Sequence, residues 1–305
     1  MDVTAAALLP ALLADAGLPP GYRCELVRQV FPFSGVWRLR FGQRGGGPGA
    51  VIYKRARTPL DREHVALAYA AAGGMPVPRL LAARQDDGWA GILMSDLGQP
   101  SRPATAADGA RLAAMIHRVP GAGSGLPRVT AADLAAIPQR IAQRAALHGL
   151  SEVTVRAAAA IAGRARHLAA PALIGPLGLC HSEWHPDSIL IDDQGQAHVY
   201  DWARAFTGPG LLDLASWHGT RGAPDLAATR ALIEDYVRAG GHPAALADRA
   251  GLPAEAWALG WHRLWAADWF IEQLDMKWIP AQYLTVQREA IERHTREAAA
   301  LLRVP

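Results

Sequence analysis

"HSEWHPDSILIDDQGQAHVYDW", residues 181–202, decides how the rest of the chain is read. It gathers His181, Glu183, His185 and Asp187 into seven positions, then runs through an apolar "ILI", a turn-forming "DDQG" and a second apolar stretch ending in Asp201-Trp202. The turn residues between two short apolar runs predict a β-hairpin. The polar knot before it has three chemical readings and one bland one. As a metal site, His181, Glu183 and His185 alternate and would share one face of a strand. The zinc-protease pattern instead needs H-E-x-x-H on a helix, and Pro186 argues against a helix continuing here. As a nucleophile site, Ser182 and Ser188 lack a G-x-S-x-G setting. Phosphoryl transfer needs a cation on the phosphates, acidic ligands for magnesium and a carboxylate beside the acceptor hydroxyl. Lys54, Glu63, Glu183 and Asp201 occur in the order that would supply them. The bland reading is a polar turn, with the histidines bracing a loop.

Working outward, the sequence changes texture once. "CELVRQVF" (24–31), "GVWRLRFG" (35–42) and "AVIYKRA" (50–56) read as strands, with "PFSG" as a turn and "GQRGGGPG" as a hairpin-type loop. "PLDREHVALAYAAAGG" (59–74) has a proline start, early acids and a glycine stop, which predicts a helix of about 14 residues. "MPVPRLLAARQ" and "GWAGILMSDLG" add two strands, closing a small, mostly antiparallel sheet near Gly98. From about residue 104 apolar residues recur at helical spacing, as in "AADGARLAAMIHRV", "AADLAAIPQRIAQRAAL" and "SEVTVRAAAAIAGRARHLA". The strand-like segment 178–204 interrupts this, and helices resume after Gly210.

With 305 residues, half of them apolar, the chain can bury the core of one large domain or two packed lobes. A net charge of +3 with scattered basic residues gives no footprint for nucleic acid or an anionic membrane. Cys24 and Cys180 stand alone, so no disulfide framework is implied and a reducing cytoplasm is expected. The apolar start lacks a positive n-region and reads as a helix ending near Gly17, not a signal peptide. No uncharged run reaches the length of a membrane span. Of 31 basic residues only Lys54 and Lys277 are lysine. Against that arginine bias a retained lysine marks a place where a compact point charge is wanted.

The ordered set of these segments resembles the aminoglycoside phosphotransferase and choline kinase superfamily, which has a protein-kinase-like fold. "LCHSEWHPDSILIDDQGQAHVYDWARAFTGPGLLDLASW" is similar to its catalytic segment, H-G-D-x-x-x-x-N followed by I-D-W or similar. "REHVALAYAAAGGMPVPRLLA", "GILMSDLG" and "LAAMIHRVP" are similar to its helix and following strand, its hinge strand and its L-a-x-L-H helix. The resemblance implies an α+β, two-lobed fold: residues 1–97 as a nucleotide-binding lobe with a small antiparallel sheet, and 98–305 as a mostly helical lobe with the catalytic loop and acceptor site. It further implies that Lys54 contacts the nucleotide phosphates and Glu63 pairs with it. Met94, Ser95, Asp96 and Leu97 would bind the base of ATP or GTP through backbone groups, and Asp201 would hold Mg2+. Ser34, with Gly35, is the candidate phosphate-covering turn. Two positions depart from the family: Glu183 stands for its catalytic aspartate and Ser188 for its metal-binding asparagine. Glu183 keeps a carboxylate on a longer stem, and Ser188 offers a hydroxyl to magnesium. His185 is a fallback base, and Asp213 is expected to brace the catalytic loop.

The acceptor side is expected in the C-terminal helices. Trp257, Trp261, Trp265 and Trp269 fall at four-residue steps, and Asp268, Glu272 and Asp275 form a second stripe. A buried core with a solvated acidic face is the simpler reading. The functional one has Trp265 and Trp269 stacking on an acceptor while Asp268 and Glu272, with Arg204 nearby, bind its polar groups. The expectation is a cytoplasmic small-molecule O-phosphotransferase, monomer or homodimer. It would act on a nucleoside- or sugar-containing, antibiotic-like acceptor, with Glu183, Ser188 and Asp201 at the chemistry. The alternative is a kinase-like nucleotide or metabolite binder with little or no activity. A protein kinase is disfavoured because no D-F-G…A-P-E stretch exists.

Overall fold

The computed structural model describes residues 7–30, 33–42 and 49–305. They form two compact units. The first takes the described residues of Met1–Ala104 together with Gly123–Leu126 and Asp187–Ala205; the second takes Thr105–Ala122, Pro127–Pro186 and Phe206–Pro305.

The first unit is built on an antiparallel sheet of β1 (Arg23–Val30), β2 (Ser34–Arg40), β3 (Ala50–Arg57), β4 (Leu80–Asp86) and β5 (Trp89–Ser95), in the order β1-β2-β3-β5-β4. Period-two alternation divides its faces. Trp37, Leu39, Val51, Tyr53 and Leu93 bury one face against Leu9, Leu12 and Leu13 of helix α1 (Leu9–Asp15), with Trp37 stacked on Tyr53 at 5.5 Å. Val36, Arg38, Ile52 and Lys54 alternate with them and face the other way, onto a cavity. The hairpin read in the opening segment is present as β7 (Ile189–Ile191) and β8 (Ala197–Val199), turning at Gly195, which takes φ +77°. Its Val199 N–H donates to the Pro76 carbonyl, and the Ile191 carbonyl accepts from Ser101, so the hairpin belongs to the sheet unit despite its distance in sequence.

Two boundaries differ from the sequence expectation. The helix foreseen over 59–74 is α2, Glu63–Ala72. Residues 58–62 instead form turns, with Thr58 Oγ1 donating to Asp61 and Leu60 N–H to Arg57. The strand foreseen from Met75 starts only at Leu80, because Pro76 and Pro78 have no N–H to offer a ladder. The "PFSG" turn lies partly outside the described residues, and its Ser34 and Gly35 already pair in β2 with Ala56 and Arg55. Most of "GQRGGGPG" also lies outside them.

The second unit is helical: α3 (Ala106–Ile116), α4 (Ala131–Ala145), α5 (Glu152–Ala169), α6 (Leu211–Ser216), α7 (Leu226–Arg238), α8 (Ala254–Asp275) and α9 (Leu284–Leu301). Thr105 with Asp108, and Thr130 with Asp133, make reciprocal capping boxes that fix where α3 and α4 begin. A short antiparallel pair, β6 (Leu177–Cys180) and β9 (Phe206–Pro209), crosses the helices. Glycine is required at both of its edges. A Cβ at Gly178 would sit 2.3 Å from the His117 carbonyl oxygen, and one at Gly210 2.6 Å from the His117 ring. This close approach lets the end of α3 rest against the strand that feeds residue 181.

Candidate functional site

The cavity of the sheet unit, about 310 Å3, is lined on one side by β1–β3 and on the other by Met94–Pro100, Leu190, Tyr200 and Asp201. In its wall the Lys54 ammonium stands between two carboxylates, 2.5 Å from Glu63 Oε2 and 2.6 Å from Asp201 Oδ1. Each reaches there for a local reason. Lys54 is an inward position of β3, opposite Val36 of β2. Glu63 is the first residue of α2, where a carboxylate complements the helix dipole, and it accepts from Trp202 N–H at 3.2 Å. Asp201 follows β8 with φ +66°, a left-handed conformation that turns its side chain back into the cavity. The Lys54 and Glu63 side chains are 9% and 2% exposed, Asp201 33%. Burial alone would push the Lys54 pKa down, but the two carboxylates outweigh it and the net shift is upward. Burial raises the Glu63 pKa, against the lowering pull of Lys54.

Met94, Ser95, Asp96 and Leu97 all line this cavity. Ser95 closes the ladder, its N–H donating to the Arg79 carbonyl, so the backbone groups of Asp96 and Leu97 lie beyond the sheet. The Asp96 side chain is held by Arg38, through Nε at 2.6 Å and an Nη at 3.1 Å, and accepts from Gly98 N–H. Ser34 begins β2 and Ser188 is buried in the turn before β7; neither is among the cavity-lining residues. Asp201 offers carboxylate oxygens in a cavity, a hard donor that suits magnesium held jointly by a carboxylate and phosphate oxygens.

The loop carrying Glu183 is braced within the helical unit by Asp213, which is fully buried and accepts from the N–H groups of His181 at 2.7 Å and Ser182 at 2.8 Å. Its Oδ2 also lies 3.4 Å from His117 Nε2. Ser216 Oγ accepts from Trp184 N–H at 2.9 Å. Ser182 takes φ +78°, a conformation that favours glycine, and its hydroxyl accepts from Trp265 Nε1 at 3.3 Å. Glu183 itself is half-buried, and His185 follows Trp184, whose ring is buried against His181 and Trp217. His117, Cys180 and Asp213 form a close buried group of potential ligands. Burial raises the Cys180 pKa, with the Asp213 charge adding to the effect, and Asp213 already serves two amides; this is a packed network that positions a loop.

On α8, Trp257 and Trp261 are fully buried core. Trp265 and Trp269 are half-buried, against Phe206 and Trp278. Asp268 is paired with Arg140 of α4, and the exposed Asp275 with Arg144 and His148, so these two acids of the stripe fasten α4 and the turn after it to α8. Glu272 is half-buried on the same helix, and Arg204 is half-buried in the segment after Asp201. The partners Arg38, Arg140 and Arg144 were not foreseen, because nothing local in the sequence joins residues 58 or 128 positions apart. Arg28 was also missed. The adjacent Leu26 and Val27, which break the apolar alternation of β1, were the available signal.

The five-stranded antiparallel sheet, the helical unit and the buried lysine–carboxylate cluster define a protein-kinase-like fold of the kind used for phosphoryl transfer. The sequence pattern of the Phosphotransferase enzyme family matches residues 32–254, and the chain belongs to that family. Among solved structures, it is similar to a protein provisionally assigned as an aminoglycoside phosphotransferase, from Ralstonia eutropha, at 15% identity over 99% of this chain and 98% of that one, TM-score 0.65. It is also similar to a macrolide 2'-phosphotransferase from Brachybacterium faecium, at 19% identity over 93% and 96%, TM-score 0.61. A spectinomycin phosphotransferase, solved with ADP and spectinomycin, matches at 12% identity over 96% and 97%, TM-score 0.57. No curated protein matches the chain. Among the described residues no helix is long and apolar enough to cross a membrane.

Proposed function

We propose that the protein is a small-molecule O-phosphotransferase that moves the γ-phosphoryl group of ATP or GTP to a hydroxyl of a nucleoside- or sugar-containing, antibiotic-like acceptor. The observation that carries this reading is the Lys54–Glu63–Asp201 cluster in the wall of the cavity, in a member of a phosphotransferase family. The relatives named for macrolide and spectinomycin chemistry support a small-molecule acceptor.

In this reading the sheet unit holds the donor. Lys54, oriented by Glu63, contacts the phosphates, and the backbone groups of Asp96 and Leu97 meet the base. Asp201 would hold magnesium, which when bound would neutralise charge on the phosphate oxygens; Ser188, buried and off the cavity lining, is the weaker candidate ligand. The helical unit supplies the acceptor side. Glu183, on a loop fixed by Asp213, accepts the hydroxyl proton as the acceptor oxygen attacks the γ-phosphorus and the bond to the β,γ-bridging oxygen breaks, releasing the nucleoside diphosphate. Trp265, Trp269 and Glu272 are the candidate acceptor contacts. Asp268 is less suited, since Arg140 already engages it.

The test is nucleotide-dependent phosphate transfer across a panel of macrolide, aminocyclitol and nucleoside antibiotics, with wild type and Glu183→Gln. Turnover on at least one acceptor should fall by about a hundredfold or more in the variant, while nucleotide-induced thermal stabilisation is kept. Nucleotide binding with no transfer to any hydroxyl compound would instead favour a binding protein, and full turnover in Glu183→Gln would remove Glu183 from its role.

A further inference from the structure

Among the described residues, the charges around the cavity leave one cation loosely held. Its charged lining residues are Arg28, Arg38, Lys54, Glu63, Asp96 and Asp201. Lys54 is shared by two carboxylates, and Arg38 is locked onto both oxygens of Asp96. Among the described residues the ion pair of Arg28 is a long one, 3.8 Å from its Nη1 to Asp201 Oδ2, and its side chain is 69% exposed. A pair so exposed is weak and easily exchanged. A nucleotide's phosphates carry more negative charge than this balanced lining neutralises.

The backbone aims Arg28 at that gap. In the β1–β2 ladder Leu26 pairs with Trp37 and Arg28 with Val36, so Val27 is an extra residue with no partner. Such a bulge breaks the alternation of faces. Without it, Val27 and Arg28 would point to opposite sides of the sheet; with it, both line the cavity. Arg28, Val36 and Lys54 then stand opposite one another in a single row across three strands.

We propose that Arg28 is a phosphate-binding residue. In the free protein it rests against Asp201; when nucleotide enters, its guanidinium transfers to the phosphate oxygens as a two-pronged donor and leaves Asp201 Oδ2 for the metal ion. This rests on the nucleotide-binding reading above and adds a residue and an exchange of partners to it.

The experiment titrates wild type, Arg28→Gln and Arg28→Lys with Mg-ATP and Mg-GTP by calorimetry, and measures the melting temperature of each protein without ligand. Arg28→Gln is expected to weaken binding of the preferred nucleotide by about tenfold or more. Arg28→Lys should recover part of the loss, and all three unliganded melting temperatures should agree. Unchanged affinity in Arg28→Gln overturns the proposal and leaves the phosphotransferase reading intact. A loss of affinity matched by a drop in unliganded melting temperature also overturns it, assigning Arg28 to the fold. Wild type that binds neither nucleotide refutes the nucleotide reading itself, and the Arg28 proposal with it.

Discussion

Replacing Lys54 by methionine tests the buried cluster at the centre of the site. Methionine keeps the length and the apolar stem but removes the charge that two carboxylates share. Asp201, a third exposed, can recover hydration. Glu63, at 2%, cannot, although its Oε1 still accepts from the Trp202 N–H. The cost therefore falls mainly on one buried carboxylate. Removing one partner of a buried pair costs about 3–5 kcal/mol, and with a single stranded charge the lower end applies, about 3 kcal/mol near neutral pH. The pH dependence has a definite sign. Burial already raises the Glu63 pKa above 4.5 in the presence of Lys54, and the variant raises it further. A carboxyl whose folded pKa is raised destabilises the fold once it must ionise. The deficit is thus full above the folded pKa, shrinks as pH falls below it and the buried group takes up its proton, and fades near the unfolded value of 4.5. Urea unfolding of wild type and Lys54→Met near neutral pH and again near pH 5 reads this directly. Lys54→Met/Glu63→Gln should regain most of the loss, because no charge is then stranded. A variant as stable as wild type at neutral pH, or a deficit that grows on acidification, would refute the reasoning.

Two further outcomes are expected. Asp213→Ala removes the carboxylate that accepts from the buried His181 and Ser182 N–H groups and should cost roughly 2–6 kcal/mol in unfolding experiments; Asp213→Asn, which keeps one acceptor oxygen, should fall between. His294 is held neutral, its pKa pushed from 6.5 down to about 3 by burial and then by the Arg263 and Arg293 charges. The unfolded chain binds that proton first, so this group lowers stability progressively as pH falls from 6.5 toward about 3, and His294→Gln should show a shallower decline across that window.

Much of the architecture was legible because it is local. Alternation in residues 24–56 and 88–98 gave the strands, and the turn "DDQG" the β7–β8 hairpin. Lysine scarcity singled out Lys54, and the ordered motifs brought Glu63 and Asp201 to attention; the structure has all three in one cluster. The boundaries of α2 and β4 were less legible, because proline near a helix start and proline ahead of a strand each permit more than one local outcome. The tryptophan stripe of α8 divides in two along its length, a buried half and a half-buried half, and no periodicity separates them.

The sequence by itself determined residue type and local period: a sheet followed by helices, a hairpin late in the chain, and a lysine and carboxylates in the order phosphoryl transfer uses. Only the tertiary structure decided which charges are shared and which are spare. Lys54 is taken by Glu63 and Asp201, Arg38 by Asp96, Asp268 by Arg140, while Arg28 is turned toward the cavity by one unpaired residue in β1. The physical reason is that backbone preferences act over a few residues and leave a readable trace. An ion pair depends on the distance between side chains that meet only when distant segments fold together.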